Sequence, residues 1–173
     1  MDQRYPIGKY EPRPFSESQK HSWLNDIKFL PLALENSILN LDEHQLETPY
    51  REGGWTVKQL VHHVADSHMN AYTRFKLGLT EENPTIRTYN EKLWAELDDV
   101  RELPVNISVT LLHALHIRWF ETLAHLSEQQ WNRTILHPEH QKTFTLWHLL
   151  GMYAWHGRHH VAHINNLRER MKW

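Results

Sequence analysis

The chain has 173 residues, 40% of them apolar, a length and content that let one domain bury a substantial core, so a single folded unit over residues 1–173 is expected. Lys and Arg number 19 against 21 Asp and Glu, and the net charge of −2 supplies no field toward nucleic acid or anionic lipid. With no cysteine there is no disulfide, thiolate ligand or cysteine nucleophile, and any thiol chemistry must use a thiol brought from outside.

The opening MDQRYPIGKYEPRPF lacks the apolar stretch of a signal peptide, and no apolar run approaches the roughly 20 residues that span a bilayer. A soluble, cytoplasmic protein without a membrane partner is expected. Residues 1–15 carry Pro6, Pro12 and Pro14 and read as an extended arm. Ser16 with Gln19 then forms a capping-box pair ahead of Trp23, Ile27, Leu30, Leu34, Ile38 and Leu41, whose steps of three and four predict a first long helix, bent near Pro31. After the turn-rich TPYREGGW, a second pair, Thr56 and Gln59, opens a helix from about Thr56 to Gly78. A short helical piece around Glu91 to Leu97 and a third long helix, roughly Ser108 to Leu126, follow. Trp131 to Thr143 is polar and weakly alternating, either a long loop or a small hairpin. Thr145 can cap a fourth helix running to about Arg168. Four amphipathic helices with almost no strand pattern predict an all-α four-helix bundle with an extended N-terminal arm.

Fifteen histidines over-supply a metal ligand that titrates near neutrality. WHGRHHVAHI, Trp155 to Ile164, holds two i,i+4 pairs, His156 with His160 and His159 with His163; four helical residues rise about 6 Å and return to the same face, so either pair can present two imidazoles to one ion. The apolar stripe decides between them. Leu146, Leu149, Tyr153, His156, His160, Ile164 and Leu167 form one inward ridge, whereas Met152, His159, His163, Asn166 and Arg170 read as helix surface or as support for the ligands. A third ligand must come from VHHVADSHMN, Val61 to Asn70: His63 at the stripe's edge is preferred, periodicity does not separate it cleanly from His62, and His68 reads as a core histidine. Asp66 can accept the second N–H of a ligand ring, or can simply be a solvated helix carboxylate. The pairs His113 with His116 and His137 with His140 read as structural or surface. HExxH, Glu-x-x-His, phosphate-loop and GxSxG patterns are all absent.

GGWTVKQLVHHVADSHMN and WHGRHHVAHI, with YPIGKYEPRP at the start, resemble the YfiT branch of the DinB-like four-helix-bundle superfamily over essentially the whole chain. The resemblance implies one divalent ion per chain, zinc or nickel, on one histidine of the second long helix and an H-x3-H pair of the last, which falls here on His63, His156 and His160. It also implies a homodimer, a cytoplasmic location, and an activity as a metal-dependent hydrolase or as an S-transferase that joins a low-molecular-weight thiol such as bacillithiol to an electrophile.

Three neutral imidazoles leave an ion its full charge and an open position, the arrangement of a catalytic site, where water or a thiol is ionised for attack on an electrophilic small molecule. Trp55, Tyr72, Trp119, Tyr153 and Trp155 are candidates to shape the substrate pocket. The competing reading is a non-catalytic metal- or ligand-binding dimeric bundle; haem on a histidine pair is a further one, which colour would reveal.

Overall fold

The computed structural model describes residues 3–173. In chain order the elements are α1 (Glu17–Ile38), α2 (Glu43–Leu46), α3 (Val57–Thr80), α4 (Glu91–Trp94), α5 (Asp98–Glu102), α6 (Val105–Ala124), α7 (Glu128–Trp131), β1 (Thr134–His137), β2 (Lys142–Thr145) and α8 (Leu146–Met171). Three of the four long helices, α1, α3 and α8, start where side-chain oxygens replace missing intrahelical partners, whereas α6 starts after Pro104 without a side-chain cap. Thr56 and Gln59 exchange both bonds of a capping box, at 3.1 and 3.0 Å. Thr145 accepts the His148 N–H at 3.1 Å. Ser16 accepts the Gln19 N–H at 3.1 Å without a return bond from the Gln19 side chain, so only half of that expected box is made. Two further boxes, Asp42 with Gln45 and Ser127 with Gln130, open α2 and α7, which are too short to show a helical period in sequence. The stretch before α8 takes the hairpin alternative: β1 and β2 pair antiparallel, with Thr134 opposite Thr145 and His137 opposite Lys142.

α1 packs on α6 and α8, and α3 packs on the same two helices, so the four close a bundle in which α1 faces α3 across the diagonal. The apolar core falls into two clusters, one around Trp23, Phe75, Trp119 and Trp147 and the other around Leu34, Val61, Leu112 and Ile164. Every long helix passes from one cluster to the other, and each crosses the boundary at a defined place. In α1 this lies between Ile27 and Leu30; in α3 at His68; in α6 at His116; in α8 at His156 and His160. α1 and α8 therefore run one way and α3 and α6 the other, with a polar layer between two apolar halves.

The arm lies along α8. Tyr10 Oη donates to the His148 carbonyl at 3.2 Å, and the Trp147 and Trp155 indoles donate to the carbonyls of Arg13 and Gly8 at 2.8 and 3.1 Å. Among the described residues no helix is long and apolar enough to cross a membrane.

Gly151 sets how closely α8 approaches α1 and the arm: a Cβ there would stand 2.6 Å from the Trp23 ring and 2.5 Å from Tyr10 Oη. Alanine favours a helix by about 1 kcal/mol over glycine, but overpacking costs typically about 1–3 kcal/mol. Gly151→Ala is therefore expected to lower stability, read as a lower urea midpoint; a raised midpoint would show that the contact yields.

Candidate metal centre

α3 and α8 meet at the polar layer, and three imidazoles converge from them. Helical spacing returns His156 and His160 to one face of α8, with their Nε2 atoms 3.0 Å apart. His63, on α3, brings its Nε2 to 3.4 Å from that of His156. One nitrogen from each ring lies within 4.8 Å of the other two. Nitrogens bound to one ion at about 2.0–2.1 Å and subtending tetrahedral to octahedral angles stand roughly 2.9–3.4 Å apart, so the two direct separations suit a shared ion.

The electrostatics suit it too. Burial pulls His63 down to about 4, and burial, reinforced by the neighbouring imidazoles, holds His156 and His160 well below the usual histidine range. All three rings are thus neutral at pH 7 and offer a lone pair, which ligation requires. They cannot satisfy one another by hydrogen bonds alone, because a neutral ring has one N–H and one acceptor. Nδ1 of His160 is already buried without a partner. This donor set, all imidazole and no carboxylate, fits a divalent ion of borderline softness.

The neighbouring candidates sort themselves by geometry. His62 turns away toward α6, where Ser108 Oγ and the Leu103 carbonyl lie 2.7 and 3.2 Å from its ring nitrogens. Asp66 does not orient a ligand ring: among the described residues its carboxylate takes no hydrogen bond from the three histidines, and burial, then the Asp99 charge, raise it to about 6. The group that lies against His156 is His68, whose Nε2 is 3.2 Å from His156 Nδ1. His159 and His163 are not helix surface. They are 8% and 4% exposed, pair with each other at 3.1 Å, and are covered by the Tyr5, Trp155 and Tyr50 rings. His113 makes an exposed contact with Glu35 at 2.9 Å, whereas its neighbour His116 is buried, 2.9 Å from His68. His137 and His140 stack on each other at the hairpin.

A cavity of about 790 Å³ opens onto the three histidines, walled by Tyr50, Arg51, Trp55, Lys92 and Trp155. A second cleft of about 660 Å³, bordered by Arg74, Tyr89, His137 and Tyr153, reaches His156 from the hairpin side. Of the aromatic residues proposed to shape a pocket, Trp55, Tyr153 and Trp155 do so. Trp119 is instead fully buried core, and Tyr72 packs against that core beneath Lys76 and Arg118.

Residues 32–164 match the DinB superfamily. The chain belongs to this family. Within the DinB superfamily its curated relatives include proteins of Bacillus cereus (strain 03BB102) and Bacillus thuringiensis subsp. konkukian (strain 97-27), both 52% identical over 99% of each chain, and one of Bacillus anthracis at 51% over the same share; all three bear the name "putative metal-dependent hydrolase". Among solved DinB-like structures, YfiT from Bacillus subtilis, described as "a probable metal-dependent hydrolase with an unusual four-helix bundle topology", superposes with a TM-score of 0.97 at 48% identity, covering 100% of this chain and 99% of that one. The expected YfiT-like fold is the fold observed.

The depressed histidines set the sign of an acid effect on the metal-free protein. Each is neutral in both states above its unfolded value of 6.5; below that the unfolded chain binds protons that the folded one refuses, so stability falls from about pH 6.5 toward the folded value, about 4 for His63. Asp66, raised to about 6, and Asp26, also raised by burial, work in the opposite sense but are two groups against several. Urea midpoints of metal-free protein should therefore drop between about pH 7 and pH 5; an unchanged midpoint would mean that these rings are solvated and protonate freely.

Proposed function

We propose that this chain is a metal-dependent enzyme acting on a small electrophilic molecule, with His63, His156 and His160 as the ligands of one zinc or nickel ion. The observation that carries this reading is the convergence of three neutral imidazole nitrogens, from buried His63 and His160 and part-buried His156, at the floor of an open cavity, with no carboxylate among them. Purely structural zinc sites are closed by four protein ligands; three ligands beside a cavity leave room for a reactant. A divalent ion held there supplies an acid that ionises bound water near pH 7, or a bound thiol.

The chain's own residues do the rest. His63 comes from a different helix than the α8 pair, so the packing of α3 on α8 holds the ligand triangle. Trp55, its ring tilted against that of His63 at 4.5 Å, and Trp155 limit water at the rim. Arg51 and Lys92 stand in the same wall as Glu91 and Glu96, a lining that suits a small polar reactant with charges of both signs. The names of the curated relatives support hydrolysis, with water as the nucleophile. Transfer of a low-molecular-weight thiol such as bacillithiol is the alternative outcome of the same site, because the same ligands ionise either nucleophile. A homodimer is part of this proposal, supported by apolar side chains left exposed on α1 (Phe29, Leu32) and α6 (Ile107, Ile117). Its mass in solution, read by light scattering, tests it.

Metal analysis by mass spectrometry on tag-free protein, purified without chelating resin, is expected to find about one zinc or nickel per wild-type chain. His156→Ala should lose most of it and His140→Ala, on the hairpin, none. Equal retention by both variants sinks the site. No metal in any of the three leaves a binding bundle without an ion. With metal present, turnover of ester or amide substrates without added thiol supports the hydrolase, and turnover only with thiol supports the transferase.

A further inference from the structure

Behind the ligand cluster a row of side chains crosses the whole bundle. His156 Nδ1 lies 3.2 Å from His68 Nε2, His68 Nδ1 lies 2.9 Å from His116 Nε2, and His116 Nδ1 lies 2.5 Å from the carbonyl oxygen of Ile27. The row thus runs from α8 through α3 and α6 to α1, with His68 and His116 0% and 1% exposed. Sequence patterning singles out neither as functional: His68 reads as a core histidine, and His116, three residues from His113, reads as structural or surface.

The far end is built by the sequence of α1. Pro31 stands inside that helix and is four residues beyond Ile27. A proline has no N–H to give the carbonyl four residues back, and its ring crowds that carbonyl outward. The Ile27 oxygen is therefore released toward α6, where it meets His116.

A carbonyl can only accept, so His116 must carry its proton on Nδ1. No carboxylate contacts His68 or His116 among the described residues, and burial disfavours a second proton on either, so each ring has one N–H and one lone pair. Nε2 of His116 is then an acceptor and takes the Nδ1–H of His68. Nε2 of His68 is left an acceptor in turn and takes the Nδ1–H of His156. One assignment satisfies all three bonds, and it leaves the lone pair of His156 Nε2 facing His63 and His160.

We propose that the Ile27 carbonyl, freed by Pro31, orders the protons of His116, His68 and His156 in one direction, and that His68 and His116 are positioning residues that hold His156 in the tautomer whose Nε2 lone pair faces the three-histidine cluster. The consequence for metal rests on the reading given under Proposed function; the tautomer itself does not. An imidazole that is fixed by a partner on its other nitrogen is a more basic and better aimed ligand, and loss of such a partner typically costs about 10–100-fold in metal affinity.

The test begins on metal-free, full-length protein with 15N-labelled histidine. Long-range 1H–15N spectra, assigned with His68→Leu and His116→Leu, should show His116, His68 and His156 all protonated on Nδ1. A proton on Nε2 of His156 overturns the proposal. In His68→Leu, His156 should then lose its single tautomer, and zinc affinity, measured by competition with a chromophoric chelator, should fall by about 10–100-fold. His68→Gln keeps one acceptor and one donor and should recover most of that affinity. Equal weakening in the leucine and glutamine variants, with both folded by thermal melt, means that His68 only fills space and overturns the positioning role. If the wild type binds no zinc, the metal reading fails by itself, while the wild-type tautomers still decide the relay.

Discussion

The structure depends on a layer of neutral imidazoles laid across the middle of an apolar bundle. Each buried ring that lost its partner would cost roughly 1–3 kcal/mol, and the contacts behind His156 join different helices: α8 to α3, α3 to α6, and α6 to α1. A one-residue slip of α3, α6 or α8 would carry its histidine away from its partner into hydrocarbon, and a slip of α1 would carry the Ile27 carbonyl away from His116. Apolar packing above and below is tolerant of such slips by comparison, since it has no direction. The layer therefore specifies the axial register of the four helices, and with it the height at which His63 meets the α8 pair.

The same layer explains why the core is divided. Leucine, valine and isoleucine dominate one side, while the other mixes leucine and isoleucine with the buried indoles and Phe75, and the two are separated along every helix by the row of polar groups. Pro31, costly in an ordinary helix interior at about 3 kcal/mol, stands where a free carbonyl is used rather than wasted. The open face of the layer lies toward the cavity, where Trp55 and Trp155 stand at the rim, and the arm closes over the adjacent part of α8 through Gly8 and Tyr5. Reactivity and fold are thus supported by the same set of contacts: the groups that position the helices also face the site.

Much of this was legible without coordinates where the signal is local. The Thr56–Gln59 capping box and the Thr145 cap place helix starts because each depends on a side chain reaching its own backbone three residues on. The stripe that puts His156 and His160 inward on α8 depends only on the helical period. His159 and His163 misled the same reasoning, since the face they occupy is polar toward its end yet is covered by Tyr5 from the arm and Tyr50 from the turn before α3, neither of which periodicity can place. Asp66 misled it as well: spacing put a carboxylate near the right turn of α3, but the partner of His156 comes across the bundle from His68.

By itself, the sequence determined the four long helices, the main inward ridge of α8 and the i,i+4 pair on it, because caps and periodicity are properties of neighbours along the chain. A likeness of motifs to a family was needed to choose His63 over His62. Only the tertiary structure decided that His62 turns to Ser108 and Leu103, that His68 and His116 continue the row behind His156, and that the row ends on a carbonyl left free by a proline. Those are contacts between residues 41 to 89 positions apart, and which ring nitrogen faces which partner is set by how four helices pack, a relation that no local pattern encodes.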